Sequence, residues 1–336
     1  MSPISVQVPR RSTLEVAVAF AEEISKLPLS EEFVFQFENT GRIEPFALLF
    51  LSCELSRFRS NRPDAKCIAS GFENCSYAAH MGFFQAFGLD HGKKPGKAKG
   101  SGSYLPITIF DADVIRKGAA DNFEPVGEFI DNEAKRMAAI LSRSDAGDIF
   151  DTLAYSIREI VRNVIEHSNA DQFGFCAQYW PTYNSVELAI LDRGVGIRDS
   201  LSRNSKLIIK DDRDALNLSL MPGVSGNPSS TSKRRTYDFW ANAGFGLYMT
   251  SRLCREGGSF FIASGTTGLY LSEEKRKYLN TPFNGTAIRL SLNTNRIRSL
   301  SDRLARYREE ANLPFDSYTA SVASAMLKED FQNYQS

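Results

Sequence analysis

The tightest constraint on the fold of this chain is an ordered series of four segments. The stretch IREIVRNVIEHS at 157–168 is followed by three in which glycine interrupts regular structure: LDRGVGI at 191–197, NAGFGLYMTSRLCREGG at 242–258 and NGTAIRLSL at 284–292. At 100° per residue, Ile157, Ile160, Val161 and Val164 fall on one side of a helix, and Glu159, Arg162, Asn163 and Glu166 on the other. Taken alone, those twelve residues are also compatible with an ordinary surface helix whose charged face is solvated.

The later segments add chemistry. SVELAILD at 185–192 alternates Val186, Leu188 and Ile190 and ends on Asp192, so the spacing predicts a strand that delivers a carboxylate to its end, beside the flexible RGVGI turn. Gly244, Phe245, Gly246 and Leu247 precede a helical stretch, LYMTSRLCRE, that stops at Gly257 and Gly258 before the strand SFFIAS. Small residues at a helix start leave backbone amides open to anionic oxygens, a phosphate cradle. Gly285 and Thr286 then open the strand TAIRLSL. Glu159 and Asn163 stand one helical turn apart and share a face, so a carboxylate and a side-chain amide are presented together.

An acid-and-asparagine helix, then Asp-x-Gly-x-Gly, then Gly-x-Gly-Leu opening a helix, then Gly-Thr opening a strand, resembles the GHKL ATPase superfamily of gyrase B, the heat-shock chaperone, sensor histidine kinases and MutL. The resemblance covers about residues 146–293. It implies an α+β protein whose centre is a two-layer α/β sandwich of the Bergerat ATP-binding type. It further implies ATP and Mg²⁺ as ligands, Glu159 as general base, Asn163 as magnesium ligand, and Asp192 as acceptor for the adenine amine. By the same resemblance, Gly194 and Gly196 lie under the base, Gly244, Phe245, Gly246 and Leu247 form the phosphate box, and Thr286 stands near adenine. Glu166 and His167 are secondary candidates; some anti-sigma-factor kinases also have histidine four residues after the asparagine. The Gly-x-Gly-Leu, helix, Gly-Gly, strand run is closer to the sensor kinases than to the chaperone. Residues 198–243, rich in serine, glycine and proline, are expected to form a lid whose Lys233, Arg234 and Arg235 either close on the γ-phosphate or remain a solvated basic turn.

Three regions follow: 1–145 as an N-terminal α/β domain with a helical connector, 146–293 as the ATP-binding domain, and 294–336 as a helical tail able to dock back or pair with another chain. At 336 residues the chain can bury a core in each of two domains. Within the first, FVFQFE, AKCIASGF and YLPITIF read as strands, with helical stretches over GRIEPFALLFLSCELSRFRSNRP, up to Pro63, and 73–89 between them; strand–helix–strand order predicts one small parallel or mixed sheet, similar to STAS-like partner-binding domains. HGKKPGKAKGSGS at 91–103 reads as a loop, either merely solvated or phosphate- or nucleic-acid-seeking.

The 40 basic and 40 acidic residues balance, so net charge does not indicate nucleic acid or an anionic membrane as the main partner, although a local patch escapes that test. The five cysteines lack CxxC spacing, and His80 and His91 lack partners at ligand spacing, which argues against disulfide frameworks and zinc. The longest apolar run, PFALLFLSC, is too short to span a membrane, for which about 20 residues are needed. A cytoplasmic, soluble protein is expected. On this reading neither a transducer domain after the last motif nor a phosphoacceptor histidine on a helical hairpin is expected. Three activities stay open: an ATPase acting as a conformational switch in signalling or defence through a protein partner or homodimer, a serine/threonine protein kinase of anti-sigma type, and a non-catalytic ATP sensor.

Overall fold

The computed structural model describes residues 3–99, 102–115, 125–226 and 244–311. The chain begins with β1 (Ile4–Gln7), α1 (Leu14–Ser25), β2 (Glu32–Gln36), α2 (Pro45–Ser60) and β3 (Lys66–Ser70). The three strands form a parallel sheet in the order β1-β2-β3. β2 alternates Phe33 and Phe35 inward with Glu32, Val34 and Gln36 outward, and α1 turns Leu14, Ala17, Val18, Phe20, Ala21 and Ile24 toward the same interior. Two short helices follow, α3 (Ser76–His80) and α4 (Phe83–Ala86). A single helix over 73–89 does not form, because Gly82 between them takes φ +88°.

A second sheet has five antiparallel strands in the order β4-β5-β6-β8-β7: β4 (Tyr104–Asp111), β5 (Gln172–Trp180), β6 (Ser185–Asp192), β7 (Ser259–Ser272) and β8 (Arg276–Asn293). Its helices are α5 (Val126–Ser142), α6 (Asp148–Asn163), α7 (Gly196–Ser202), α8 (Asp212–Ser219), α9 (Gly246–Arg255) and α10 (Leu300–Ala311). β6 is buried along seven of its eight positions, because each face of the sheet is covered. Leu188 and Ile190 join Ile157, Ile160 and Val161 of α6 in one core, whereas Ala189 and Leu191 join α2 in the other. The layers therefore run parallel sheet, α1 and α2, antiparallel sheet, α5 and α6.

This stacking explains the unusual apolarity of α2. A helix pressed between two sheets has no solvated side. Phe46, Leu48, Leu49, Phe50, Leu51, Leu55 and Phe58 are all buried. Phe58 meets Phe33 and Phe35 edge-on, while Phe50 stacks on Phe283 at 5.3 Å and Phe46 meets Phe261 at 5.4 Å. Each such ring contributes roughly 1.5–3 kcal/mol of transfer free energy. Beneath α2 the sheet carries small residues: Gly174, Cys176, Ala189, Ala263 and Ala287. A Cβ at Gly174 would stand 2.8 Å from Leu49 Cδ1.

The expected division at 145/146 does not describe this architecture. YLPITIF is not a third strand of the N-terminal sheet: β4 pairs antiparallel with β5, Ile109 opposite Gly174 and Phe110 opposite Phe173, as an edge of the larger sheet. α5 packs on α6, with Ile130, Ala134, Met137 and Leu141 in the same core as Ile157. The N-terminal elements share a single continuous core with the other face of that sheet. The tail begins by docking back: Leu304, Tyr307 and Ala311 of α10 pack on Tyr248, Met249 and Leu253 of α9. The second expected tail helix lies outside the described residues. Among the described residues no helix is long and apolar enough to cross a membrane, and all five cysteines are free.

Candidate functional site

α6 sits on the five-stranded sheet through Leu153, Ile157, Ile160 and Val161, which turns Glu159 into the interior at 4% exposure rather than toward solvent. Burial raises the Glu159 carboxyl above its usual range, and the adjacent guanidinium opposes this. Arg158 Nε and Nη2 donate to Glu159 Oε1 at 3.2 and 2.9 Å, while Arg158 lies 3.6 Å from Asp131 of α5 and over the Tyr155 ring. The second oxygen, Oε2, lies at the start of α9, where a Cβ on Gly246 would stand 2.5 Å from it. Only glycine leaves room there for the carboxylate, which also meets the positive end of the helix dipole.

After Asn163 the helix widens into a π-helical turn, Val164–Ser168, a feature that recurs at functional sites. It turns Glu166 outward, where it accepts from Arg162 Nε at 2.9 Å, and leaves His167 half-buried, with burial lowering the imidazole's basicity. The turn closes on Ser168, whose Oγ donates to the Val164 carbonyl at 2.7 Å and whose carbonyl accepts from Val195 N at 2.7 Å. Gly194 passes so close to the Ser168 carbonyl that a Cβ would collide with backbone. The end of α6 is thereby fixed to the loop after β6.

Asp192 ends β6 opposite Thr286 of β8 and is 2% exposed. Gly194 N donates to its Oδ1 at 2.8 Å. Burial raises the carboxyl from 3.8 to about 6, with the amides of Gly194 and Thr286 pulling it back down. Ser264 of β7 secures the same corner: its Oγ donates to the Gly285 carbonyl at 2.7 Å and accepts from Ile197 N at 2.9 Å. Arg193, between aspartate and glycine, reaches the other way, donating from Nε to Cys53 Sγ at 3.0 Å and from Nη2 to Glu54 Oε1 at 2.7 Å.

These elements enclose a cleft of about 960 Å³ including its open mouth. Glu159, Asn163, Asp192, Gly244, Gly246, Leu247 and Thr286 line it together, although they come from four distant stretches of sequence. Three anticipated residues do not. Gly194 and Gly196 shape the loop from behind, Gly196 against Ser264 Oγ and the Gly285 carbonyl, and Phe245 packs the opposite way among Tyr248, Met249 and Leu304. Arg162, Glu166, His167, Ser168, Ser200, Ser219 and Ser225 also face the cleft, and Ile160, Val164, Ile190, Leu201 and Ile288 form its apolar wall, a surface suited to a small molecule. Two of these carry a period-two signal: Ile190 precedes Asp192 by two and Ile288 follows Thr286 by two, so each shares a strand face with its polar neighbour. Arg158 and Ser264 carry no such signal.

Part of the expected lid is a packed element. α8 is capped by Asp211 Oδ1, which accepts from Asp214 N at 2.8 Å, and Leu218, Met221 and Val224 pack with Leu201. Asp212 Oδ2 accepts from Thr266 N and Oγ1, each at 2.8 Å, which ties α8 to β7. Gly244 returns the chain alongside the Val224 backbone at the cleft rim. Lys233, Arg234 and Arg235 lie outside the described residues.

Among the described residues no group of three His, Cys, Asp or Glu side chains is placed to hold a metal ion. Asn163 Nδ2, however, is buried without a hydrogen-bond partner at the cleft wall. That unpaired N–H calls for an acceptor such as a ligand oxygen, and the oxygen of the same amide is the group able to face a cation. Compared with protein-family models and with curated proteins, the chain matches none.

Proposed function

We propose that this cleft binds an adenine nucleotide with Mg²⁺ in a sandwich of Bergerat type, and that the chain hydrolyses its γ-phosphate as a nucleotide-driven conformational switch. The observation that carries the reading is the convergence of Glu159, Asn163, Asp192, Gly246 and Thr286 on one cleft, beside an apolar wall of Ile160, Val164, Ile190, Leu201 and Ile288. An apolar slot ending in a buried carboxylate suits a flat ring that presents an amine donor. Asp192 accepts that donor and Thr286 lies across the strand pair from it. The open first-turn amides of α9 suit phosphate oxygens.

Glu159 is the general base. Arg158 holds Oε1 and keeps the side chain oriented, Oε2 takes the proton of the attacking water, and the basicity added by burial brings the carboxylate closer to the operating pH. Mg²⁺, when bound, offsets phosphate charge, with Asn163 as its protein ligand. The cleft is mechanically connected to the rest of the molecule, through Arg193 to α2 and through α9 to α10.

The test is the purified chain with γ-labelled ATP and Mg²⁺. Free phosphate is expected, and Glu159→Gln should lower its release by about 10²–10⁴ while leaving ATP association intact. Label on the protein would mean a protein kinase, and binding without turnover a sensor. No heat of ATP association by folded protein would remove the reading altogether.

A further inference from the structure

On the side of the molecule formed by the loop before β4 and the end of β5, basic and aromatic side chains stand together. Lys93, Lys94, Lys97 and Lys99 are all exposed, on a loop whose backbone is pinned to the fold. Lys93 N donates to the Ala79 carbonyl at 2.9 Å, Gly96 N to the Ile107 carbonyl at 2.8 Å, and Lys97 N to the Lys94 carbonyl at 3.0 Å. Tyr104 OH donates to the Lys99 carbonyl at 2.8 Å. The lysines are thus presented on a preordered ribbon, so little chain entropy is lost when they bind.

The ribbon continues into an aromatic strip. Tyr104 stands opposite Gln178 of β5, and Gln178 Oε1 accepts from Tyr77 OH at 2.9 Å; Tyr77 is 40% exposed. Two residues along β5, Trp180 lies beneath the exposed guanidinium of Arg42, 5.1 Å from its ring centre. Tyr183, on the turn Pro181–Tyr183 that follows, is 67% exposed. Arg10 is tied to the same corner, its carbonyl accepting from Gly41 N at 2.8 Å. The carboxylates behind Arg42 are engaged: Glu187 is 2% exposed and accepts from Arg289 at 2.7 Å, and Glu44 lies 3.9 Å from Arg11. The neutral total charge of the chain hides this local excess of cations.

We propose that this strip binds single-stranded nucleic acid. Lysines along a fixed ribbon match a run of phosphates, and exposed aromatic faces match unstacked bases, which a duplex or a sulfated sugar polymer does not offer. The surface is separate from the nucleotide cleft, so its test does not depend on that reading.

The experiment is fluorescence anisotropy of the full chain with labelled 20-mer oligothymidylate, and oligouridylate as the ribose arm, from 50 to 300 mM salt. With the four lysines and Arg42 in contact, log Kd against log salt should have a slope of magnitude about 3.5. Replacing Lys93, Lys94, Lys97 and Lys99 together by alanine should reduce that magnitude by about 3, and Tyr183→Ala should weaken binding by about 5- to 100-fold. Circular dichroism and cooperative thermal unfolding check that each variant is folded. No binding at 50 mM salt by folded wild-type protein overturns the proposal. Heparin or anionic phospholipid vesicles bound as tightly as the oligonucleotide, with Tyr183→Ala silent, would show a generic polyanion surface and overturn it equally.

Discussion

Asp192 provides the most direct test of the cleft's physics. Its carboxyl is 2% exposed and raised from 3.8 to about 6 by burial. At 1.36 kcal/mol per pH unit, that rise corresponds to a folding penalty of about 3 kcal/mol once the group is ionised. The sign follows from proton uptake: between pH 3.8 and 6 the folded chain holds a proton that the unfolded chain has released, so this residue's stability contribution is full below that window and lost above it. Asp192→Asn keeps an oxygen for the Gly194 amide and removes the titration. Denaturant unfolding of both proteins at pH 4, 5, 6 and 7 should therefore show the variant gaining on wild type by about 2.4 kcal/mol across that range, whatever their offset at pH 4. If the proposed adenine nucleotide donates to the ionised carboxylate, its association with wild type should weaken by up to tenfold per unit below pH 6, and Asp192→Asn should flatten that profile. A stability difference independent of pH would refute a buried, proton-linked carboxylate at this position.

Further expectations concern the packing around the cleft. Gly246→Ala places a methyl 2.5 Å from Glu159 Oε2; it should cost about 1–3 kcal/mol in unfolding free energy and displace the base, so that phosphate release falls while the melting curve stays cooperative. Arg193→Ala leaves the fully buried Glu54 with Arg57 at 2.5 Å as its charged partner, and should cost about 1–3 kcal/mol by chemical denaturation. Phe50→Ala removes the ring stacked between Phe46 and Phe283 and should cost about 3–5 kcal/mol, with both sheets melting in one transition if they share a core as the structure indicates.

Local pattern was informative wherever a residue's partners lie within its own element. The amphipathic spacing of Ile157, Ile160 and Val161, the alternation along β6 and the stop at Gly257 and Gly258 are each written in neighbouring residues, and the structure has α6, β6 and α9 at those places. The apolar run of α2 indicated that it would be buried; it did not indicate between what. Two strands with the same kind of pattern, β3 and β4, went to different sheets, because an edge strand's pairing depends on which open edge the rest of the chain presents.

What the sequence by itself determined is an order of chemistries along the chain: a carboxylate and an amide on one helical turn, an aspartate at a strand end, glycines at a helix start, and a threonine opening a strand. What only the tertiary structure decided is which atoms of these segments meet. Glu159 is held by Arg158 and faces Gly246, Gly194 lies against the Ser168 carbonyl, and Asp192 is sealed in by the strand carrying Thr286. The physical reason is burial. It depends on layers that close around a residue from far along the chain, and the same closure that brings those groups together sets how strongly each holds its proton.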